Sequence, residues 1–344
     1  MTLGSTQQSI TRRALLKGAG AAGLSAAGFS TPAFAAAEFQ FKFASNLPAT
    51  HPLNVRAKEA ADRIAKESGG KVELQIFPAN QLGADADLIS QLRAGGIDFL
   101  TISGLVASTL VPTAAITGMG FAFKDYPSVW QALDGKLGAY VRGELAKANL
   151  LAMPKIWDNG FRHMTTSKQP IKSVDDLKGL KMRVPVSPLW TSMFKALDAS
   201  PTGIAPPEMY SALQTGIVDG QENGLVAIQF TKLYEVQKFC ALTNHMWDGY
   251  WMLANKRSFE KLPADLQQII ARNFDLSAVA QRADVERLTL TARADLEKAG
   301  MKFNTVDQAG FRDKLRANGF YQEWKTKLGK EAWDTLEASV GKMG

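Results

Sequence analysis

Apolar and polar residues alternate along Phe39-Gln40-Phe41-Lys42-Phe43-Ala44, and that period of two predicts a strand. The prolines of residues 46–52 mark a loop, and an amphipathic helical run over 53–68 follows, ended by Gly69-Gly70. Residues 72–77 alternate again, 85–94 are helical up to Gly95-Gly96, and 98–102 read as a third strand. Strand, helix, strand, helix, strand in this order predicts a parallel, helix-flanked sheet of the α/β class. Ligands of such sheets gather beyond the carboxyl ends of the strands, which makes the loops 46–52 and 101–105 candidate cleft walls.

Further along, 127–145 is helical with breaks at Gly135 and Gly138, and 150–157 is an apolar strand. Residues 181–184 form a strand with Arg183 near its carboxyl end. The helices 190–197 and 208–216 follow, the second opened by Pro206-Pro207. Residues 218–220, 238–242 and 249–254 read as strands, with His245-Met246-Trp247-Asp248 as a loop between the last two. After Pro263 neither Gly nor Pro occurs until Gly300, and Leu266, Ile269, Ile270, Phe274, Leu276 and Val279 recur at near-helical spacing. At ~1.5 Å per residue that helix exceeds ~50 Å, longer than one small domain, and is expected to run along two. A short strand at 301–303 and helices at 308–317 and 321–343 close the chain.

Composition adds little to this picture. The chain of 344 residues is long enough for two domains, and 46% hydrophobic with 21% charged residues is ordinary for a soluble protein. The N-terminus changes the account. Thr11-Arg12-Arg13-Ala14-Leu15-Leu16-Lys17 resembles a twin-arginine export motif, followed by a Gly/Ala/Leu stretch and small-x-small sites at Ala33-Phe34-Ala35 and Ala35-Ala36-Ala37. Residues 1–35 are expected to be a signal cleaved near 35–37, leaving a periplasmic protein. Losing Arg12, Arg13 and Lys17 takes the net charge from +7 to +4, and no basic block interleaved with aromatics points to nucleic acid. Gly18-Ala19-Gly20-Ala21-Ala22-Gly23 fits a dinucleotide fingerprint, but no strand precedes it and the segment is expected to be discarded.

The candidate chemistry is sparse. Cys240 is the only cysteine, so neither an intrachain disulfide nor a cysteine metal site is available, and it is expected in a buried strand. His51, His163 and His245 lie far apart and suggest no metal site, and no nucleophile elbow, phosphate loop or metalloprotease motif occurs. No cofactor and no catalytic residue is expected. The acid pairs Asp175-Asp176 and Asp219/Glu222 read as caps and strand-end contacts rather than acid–base machinery. What stands out is Arg162, Arg183 and Asn223. Two planar guanidinium forks and an amide, if they converge, make a carboxylate receptor; the same residues could equally be structural or surface groups paired to nearby acids.

A longer series of motifs bears on that choice. His51-Pro52, Phe77-Pro78, Gln81-Leu82-Gly83, Asp134-Gly135 and Pro170-Ile171 come first. Asp176-Leu177-Lys178-Gly179-Leu180-Lys181-Met182-Arg183, Glu208-Met209-Tyr210-Ser211-Ala212-Leu213-Gln214 and Val218-Asp219-Gly220-Gln221-Glu222-Asn223 complete it. In this order they resemble the DctP-type solute-binding proteins of tripartite ATP-independent periplasmic (TRAP) transporters. The resemblance implies an α/β, type II-like periplasmic-binding-protein fold of two lobes, each a helix-flanked sheet. The ligand cleft would lie between them, with the long helix bracing both. Lobe I would comprise residues 37–160 and about 249–288, and lobe II 161–248 and about 289–344. The resemblance further implies a monomeric receptor, not an enzyme, that delivers a small organic acid to integral-membrane permease subunits. Arg183 would form the main salt bridge to the ligand carboxylate, with Arg162 and Asn223 bonding the same group. Ser103 and His51, near the predicted cleft loops, and the aromatics Tyr210 and Trp247 complete the candidate lining, Trp247 as a cleft wall. Where relatives often carry an aromatic that covers the ligand, this chain has Ala205-Pro206-Pro207. The alternatives are a periplasmic enzyme exported folded and the receptor of an ATP-driven importer.

Overall fold

The computed structural model describes Met1 and residues 37–343; apart from its first residue, the expected export signal lies outside this region. Ten strands are found among the described residues: β1 (Phe39–Ser45), β2 (Val72–Phe77), β3 (Phe99–Ser103), β4 (Leu150–Ala152), β5 (Trp157–Thr166), β6 (Lys181–Val184), β7 (Ser200–Gly203), β8 (Gly220–Gly224), β9 (Phe239–Asn255) and β10 (Lys302–Thr305). They form one sheet in the order β2-β1-β3-β9-β5-β8-β6-β7, with β4 and β10 also paired to β9. The wing β2-β1-β3 is parallel, and so is β8-β6-β7 at the other end. Between them β9 and β5 run antiparallel to each other and to their outer neighbours.

The alternation at Phe39, Phe41 and Phe43 works as expected: Phe41 and Phe43 are buried while Gln40 and Lys42 are exposed. Phe43 and Phe99 pack with Leu53, Ala57 and Ile64 of the helix Pro52–Glu67. At the other end Val218, Leu213 and Cys240 form a separate core. The 35-residue helix Ala264–Lys298 serves both. Its first half sends Leu266, Ile270 and Phe274 into the first core, and its second half sends Ala292 and Leu296 into the other. Midway, Gln281 Oε1 accepts from Asp158 N (2.8 Å) and its Nε2 donates to Asp158 O (2.7 Å), clamping the helix to β5. Next to it, Arg282 makes a two-point pair with Asp134 (2.9 Å each) and lies 3.9 Å over the Trp130 ring.

Several boundaries differ from the sequence reading. The expected loop 245–248 does not exist; β9 is one strand of 17 residues. From His245 to Asn255 every residue is buried, so polar and apolar side chains follow no period of two and the usual strand signal is lost. The predicted strand 150–157 is instead the short β4 and the start of β5, which continues through Gly160 with register shifts at Asp158/Gly160 and Arg162/Met164. Gly160 takes a φ of +87°, which suits glycine best. Gly138 stays inside the helix Lys136–Lys147, whereas Gly329, at φ +83°, splits the last predicted helix into Phe320–Leu328 and Lys330–Val340.

At the middle of the sheet Gly249 pairs with Asp158 on β5, and a Cβ there would lie 2.2 Å from the Trp247 ring and 2.8 Å from Trp157 O. Neither a buried indole nor a strand carbonyl can move freely. Gly249→Ala is expected to lower unfolding free energy by ~1–3 kcal/mol, read as a lower urea midpoint.

Candidate functional site

Strand pairing brings the three candidate clamp residues together. On β5 Arg162 faces Gly224 and His163 faces Asn223, both on β8, while Arg183 on β6 pairs with Gln221 of the same strand. These strand ends open on a cavity of about 360 Å³. Arg162, Arg183, Asn223, Ser103 and Tyr210 all line it, with Asp248 and Tyr250 from β9. From the first wing come Asn46, Leu47 and Pro48 after β1, Asn80 after β2, and Asp85 at the start of the helix Asp85–Ala94.

Arg162 is spoken for. Its Nε donates to Glu222 Oε2 (2.5 Å), and Nη2 donates to Glu222 Oε1 (2.7 Å) and Glu222 O (2.9 Å). Nη1 reaches Asp248 Oδ2 at 3.3 Å, and the guanidinium lies 4.9 Å from the Trp190 ring centre. Burial alone would lower its pKa, but the charges of Glu222 and Asp248 raise it. Burial likewise pushes the Glu222 carboxyl up, yet Arg162 and a hydrogen bond from His245 outweigh this and hold it down to about 2. Asp248 also accepts from Ser103 Oγ (2.6 Å) and Asn159 Nδ2 (2.9 Å).

Arg183 is the opposite case. Its side chain is fully buried, and no carboxylate among the described residues lies within ion-pair distance. Nε and Nη2 both donate to one acceptor, Ile204 O, at 2.9 and 2.7 Å. Burial draws its pKa down to about 10, with Arg162 adding to the effect and Glu222 and Asp85 opposing it. It therefore stays charged at neutral pH, and its Nη1 donors have no partner among the described residues. Asn223 uses Oδ1 to accept from Gly224 N (3.1 Å), leaving Nδ2 for the cavity.

Two expected lining residues are elsewhere. Trp247 is 1% exposed and belongs to the core; its Nε1 donates to Asp158 Oδ1 (2.9 Å) and its ring meets Trp130 and Phe123 edge-on. His51 caps the helix Pro52–Glu67, Nδ1 accepting from Leu53 N (3.2 Å), and its ring packs on Phe230, which does line the cavity. Sequence reasoning did not find Trp190, Asp248 or Asp85 as lining groups. Asp248 had been placed in a loop and Asp85 read only as a helix start, and neither carries a motif of its own. Among the described residues no group of His, Cys, Asp and Glu is arranged to hold a metal ion.

This fold encloses a cavity in which one buried cation, Arg183, has no carboxylate of the described residues within ion-pair distance. The chain belongs to the DctP family of bacterial extracellular solute-binding proteins, family 7, which it matches over residues 43–325. It is thus a periplasmic solute-binding protein of the TRAP type and not an enzyme, which sets aside both alternatives considered from the sequence. An uncharacterised Sinorhizobium fredii protein is 31% identical over 302 residues, 88% of this chain; the chain spans 56% of that relative's length. A TRAP periplasmic solute-binding protein of Sulfurospirillum deleyianum, solved with bound succinate, superposes with a TM-score of 0.83 at 27% identity over 88% of this chain and 99% of that one. One from Bordetella bronchispeptica, with density assigned as pantoate, gives 0.82 at 30% identity over 89% and 99%.

The histidines set an acid limit on the fold. Burial holds His51 and His163 at about 3, against an ordinary value of 6.5, and lowers His245 as well. Folded-state values below the unfolded ones mean stability that is complete above about pH 6.5 and lost as pH falls toward 3. Between pH 7 and pH 5, His51 and His163 should each remove roughly 1–2 kcal/mol from the unfolding free energy. Glu222 adds little to that loss, since its contribution is lost only as pH falls through the ordinary value of 4.5 toward about 2. Burial raises the Asp158 carboxyl to about 7 and acts in the opposite direction over this range, so the histidine share is read by difference: the fall in urea midpoint from pH 7 to pH 5 should be smaller in a His51→Gln, His163→Gln double variant than in wild type, and equal falls would contradict it.

Proposed function

We propose that this chain captures a small organic acid in the cavity and delivers it to the integral-membrane subunits of a TRAP permease. The observation that carries the reading is Arg183, a fully buried guanidinium among the residues that line the cavity, with no carboxylate of the described residues within ion-pair distance. In this reading a ligand carboxylate completes Arg183, Asn223 Nδ2 donates to the same group, and Arg162 adds the proton of Nη1 that Asp248 does not take. Succinate and pantoate, the compounds named for the two superposed proteins, both carry a carboxylate. The same reading has the precursor exported through a twin-arginine signal in residues 1–35 and the mature protein acting as a monomer.

The proposal includes motion. Residues 37–160 with about 249–288, and 161–248 with about 289–344, act as two lobes that close on the ligand. They swing about the places where β5 and β9 pass between the wings, near Gly160 and residues 245–249. A ligand fixed to Arg183 and touched by the loops after β1 and β3 binds the closed form better than the open one, and only that difference can shift the equilibrium.

Arg183→Ala leaves a bound carboxylate without its partner and is expected to weaken binding by ~2–5 kcal/mol. Arg183→Lys should also bind poorly, because an ammonium cannot make a two-point contact. A thermal-shift screen of organic acids supplies the ligand and isothermal titration the affinities; a Lys variant within a few-fold of wild type would refute the role. Small-angle scattering tests closure. Ligand should shrink the radius of gyration of a sample shown to start empty, and an unchanged value would mean a rigid pocket.

A further inference from the structure

The surface cations of this protein are not evenly answered. A second cavity of about 360 Å³, which shares no lining residue with the organic-acid site, has Lys124, Arg312, Arg316 and Lys342 in its wall and no carboxylate of the described residues. The four come from separate stretches of chain. Lys124 precedes the helix Tyr126–Leu133, the arginines stand one turn apart on the helix Gln308–Ala317, and Lys342 follows the helix Lys330–Val340. The nearby acids are engaged outside the cavity. Asp125 accepts from Ser128 N (2.9 Å) as a helix cap, Asp313 pairs with Arg316 (3.1 Å) within its own helix, and Glu337 pairs with Lys342 (2.6 Å). Exposed pairs of that kind are worth little and leave a guanidinium most of its donors. Lys124 and half-buried Arg312 have no carboxylate of the described residues within ion-pair distance.

The base of the cavity is firm. Buried Tyr321 donates its hydroxyl to Gly120 O (3.2 Å), while Phe121 N donates to His245 O (2.8 Å) and the Phe121 ring packs against Phe311. Burial pushes the Tyr321 phenol up to about 12, and Arg316 and Arg312 both pull it back, so the two guanidinium charges act on one hydroxyl. A hollow beside Thr109 makes the contrast, because there Lys195 and Lys327 share the wall with Asp198 and Glu323. Like charges gathered on a fixed base repel one another unless an anion comes between them.

We infer that this cavity is a second anion site, which takes a phosphomonoester group between Arg312, Arg316, Lys124 and Lys342. A dianion suits this set of cations better than a monocarboxylate does, and guanidinium forks beside ammonium groups match phosphate oxygens. The Gln131 side-chain amide, without a partner among the described residues, adds a neutral donor at the same wall. The group recognised is the same whether it is free in solution or carried on a lipid.

Glycerol 3-phosphate and vesicles of phosphatidic acid in phosphatidylcholine present that group from the two sources. Isothermal titration in phosphate-free buffer compares wild type, Arg183→Ala, and Arg312→Gln with Arg316→Gln. Glycerol 3-phosphate should bind wild type and Arg183→Ala alike, more weakly as salt rises, and at least about tenfold less tightly in the double arginine variant. Thermal melting checks that this variant folds. Lys124→Gln with Lys342→Gln, at two exposed positions, should weaken binding by about threefold or more and keeps the test open if it does not. Vesicle co-sedimentation lost in the double arginine variant, without binding of the free phosphate, assigns the group to a lipid; the reverse assigns it to a soluble ligand. Binding abolished by Arg183→Ala and kept in the double arginine variant would place the phosphate in the organic-acid cavity and overturn the inference. Binding from neither source would overturn it as well, and tighter binding of citrate would overturn the choice of phosphate.

Discussion

Two guanidiniums are buried next to each other, and the construction around the cavity answers to them. A charge removed from water is tolerated only when opposite charge and hydrogen bonds replace the lost hydration. Arg162 is fully answered: both oxygens of Glu222, its carbonyl, Asp248 and the Trp190 face surround it. His245 continues that arrangement, standing 3.1 Å from Glu222 through Nε2 and 2.7 Å from Thr243 Oγ1 through Nδ1. Arg162 and His245 hold the Glu222 carboxyl low despite its burial. Arg183 receives one carbonyl and distant help from Glu222 and Asp85. Arg183 is thus held at the cavity by strands that a full core fixes on both sides, with less compensation for its burial than Arg162 receives.

That contrast was only partly visible in the sequence. Elements with a clear period were read well: β1 from its alternating phenylalanines, the helix Pro52–Glu67 from its stripe and following glycines, and Ala264–Lys298 from its uninterrupted helical spacing. Burial on all sides erased the signal where the site is built. His245, Met246, Trp247 and Asp248 look like a polar-flecked loop because their polar members are satisfied inside the protein, Asp248 by Arg162, Ser103 and Asn159. Trp247 was misplaced for the same reason: its indole N–H finds Asp158 within the core, and nothing local in the chain announces that.

For the site, residue type and motif context singled out Arg162, Arg183 and Asn223, which the fold brings to one cavity. What the chain order could not convey is that the two arginines differ in kind. That difference depends on Glu222 lying on the strand paired with that of Arg162, two residues from its partner Gly224, and on no acid of the described residues coming within ion-pair distance of Arg183, a matter of register rather than of composition. Of the wall from the first wing, the loop holding Asn46 was expected at the cleft, whereas Asn80 and Asp85, 34 and 39 positions further along the chain, were not, because they reach the cavity only through the pairing of β1 with β2.

β9 has a consequence for how the molecule comes apart. Its first residues pair with β10 and β5, and its last residues with β3 and β4, so a single run of backbone is the central strand of both ends of the sheet. Melting either end exposes a strand on which the other end also depends, and the helix Ala264–Lys298 ties the same two cores together a second time. Neither end has a boundary at which it could be lost alone. Cooperativity is thus built into the covalent path of the chain, and the two ends make one unit of folding.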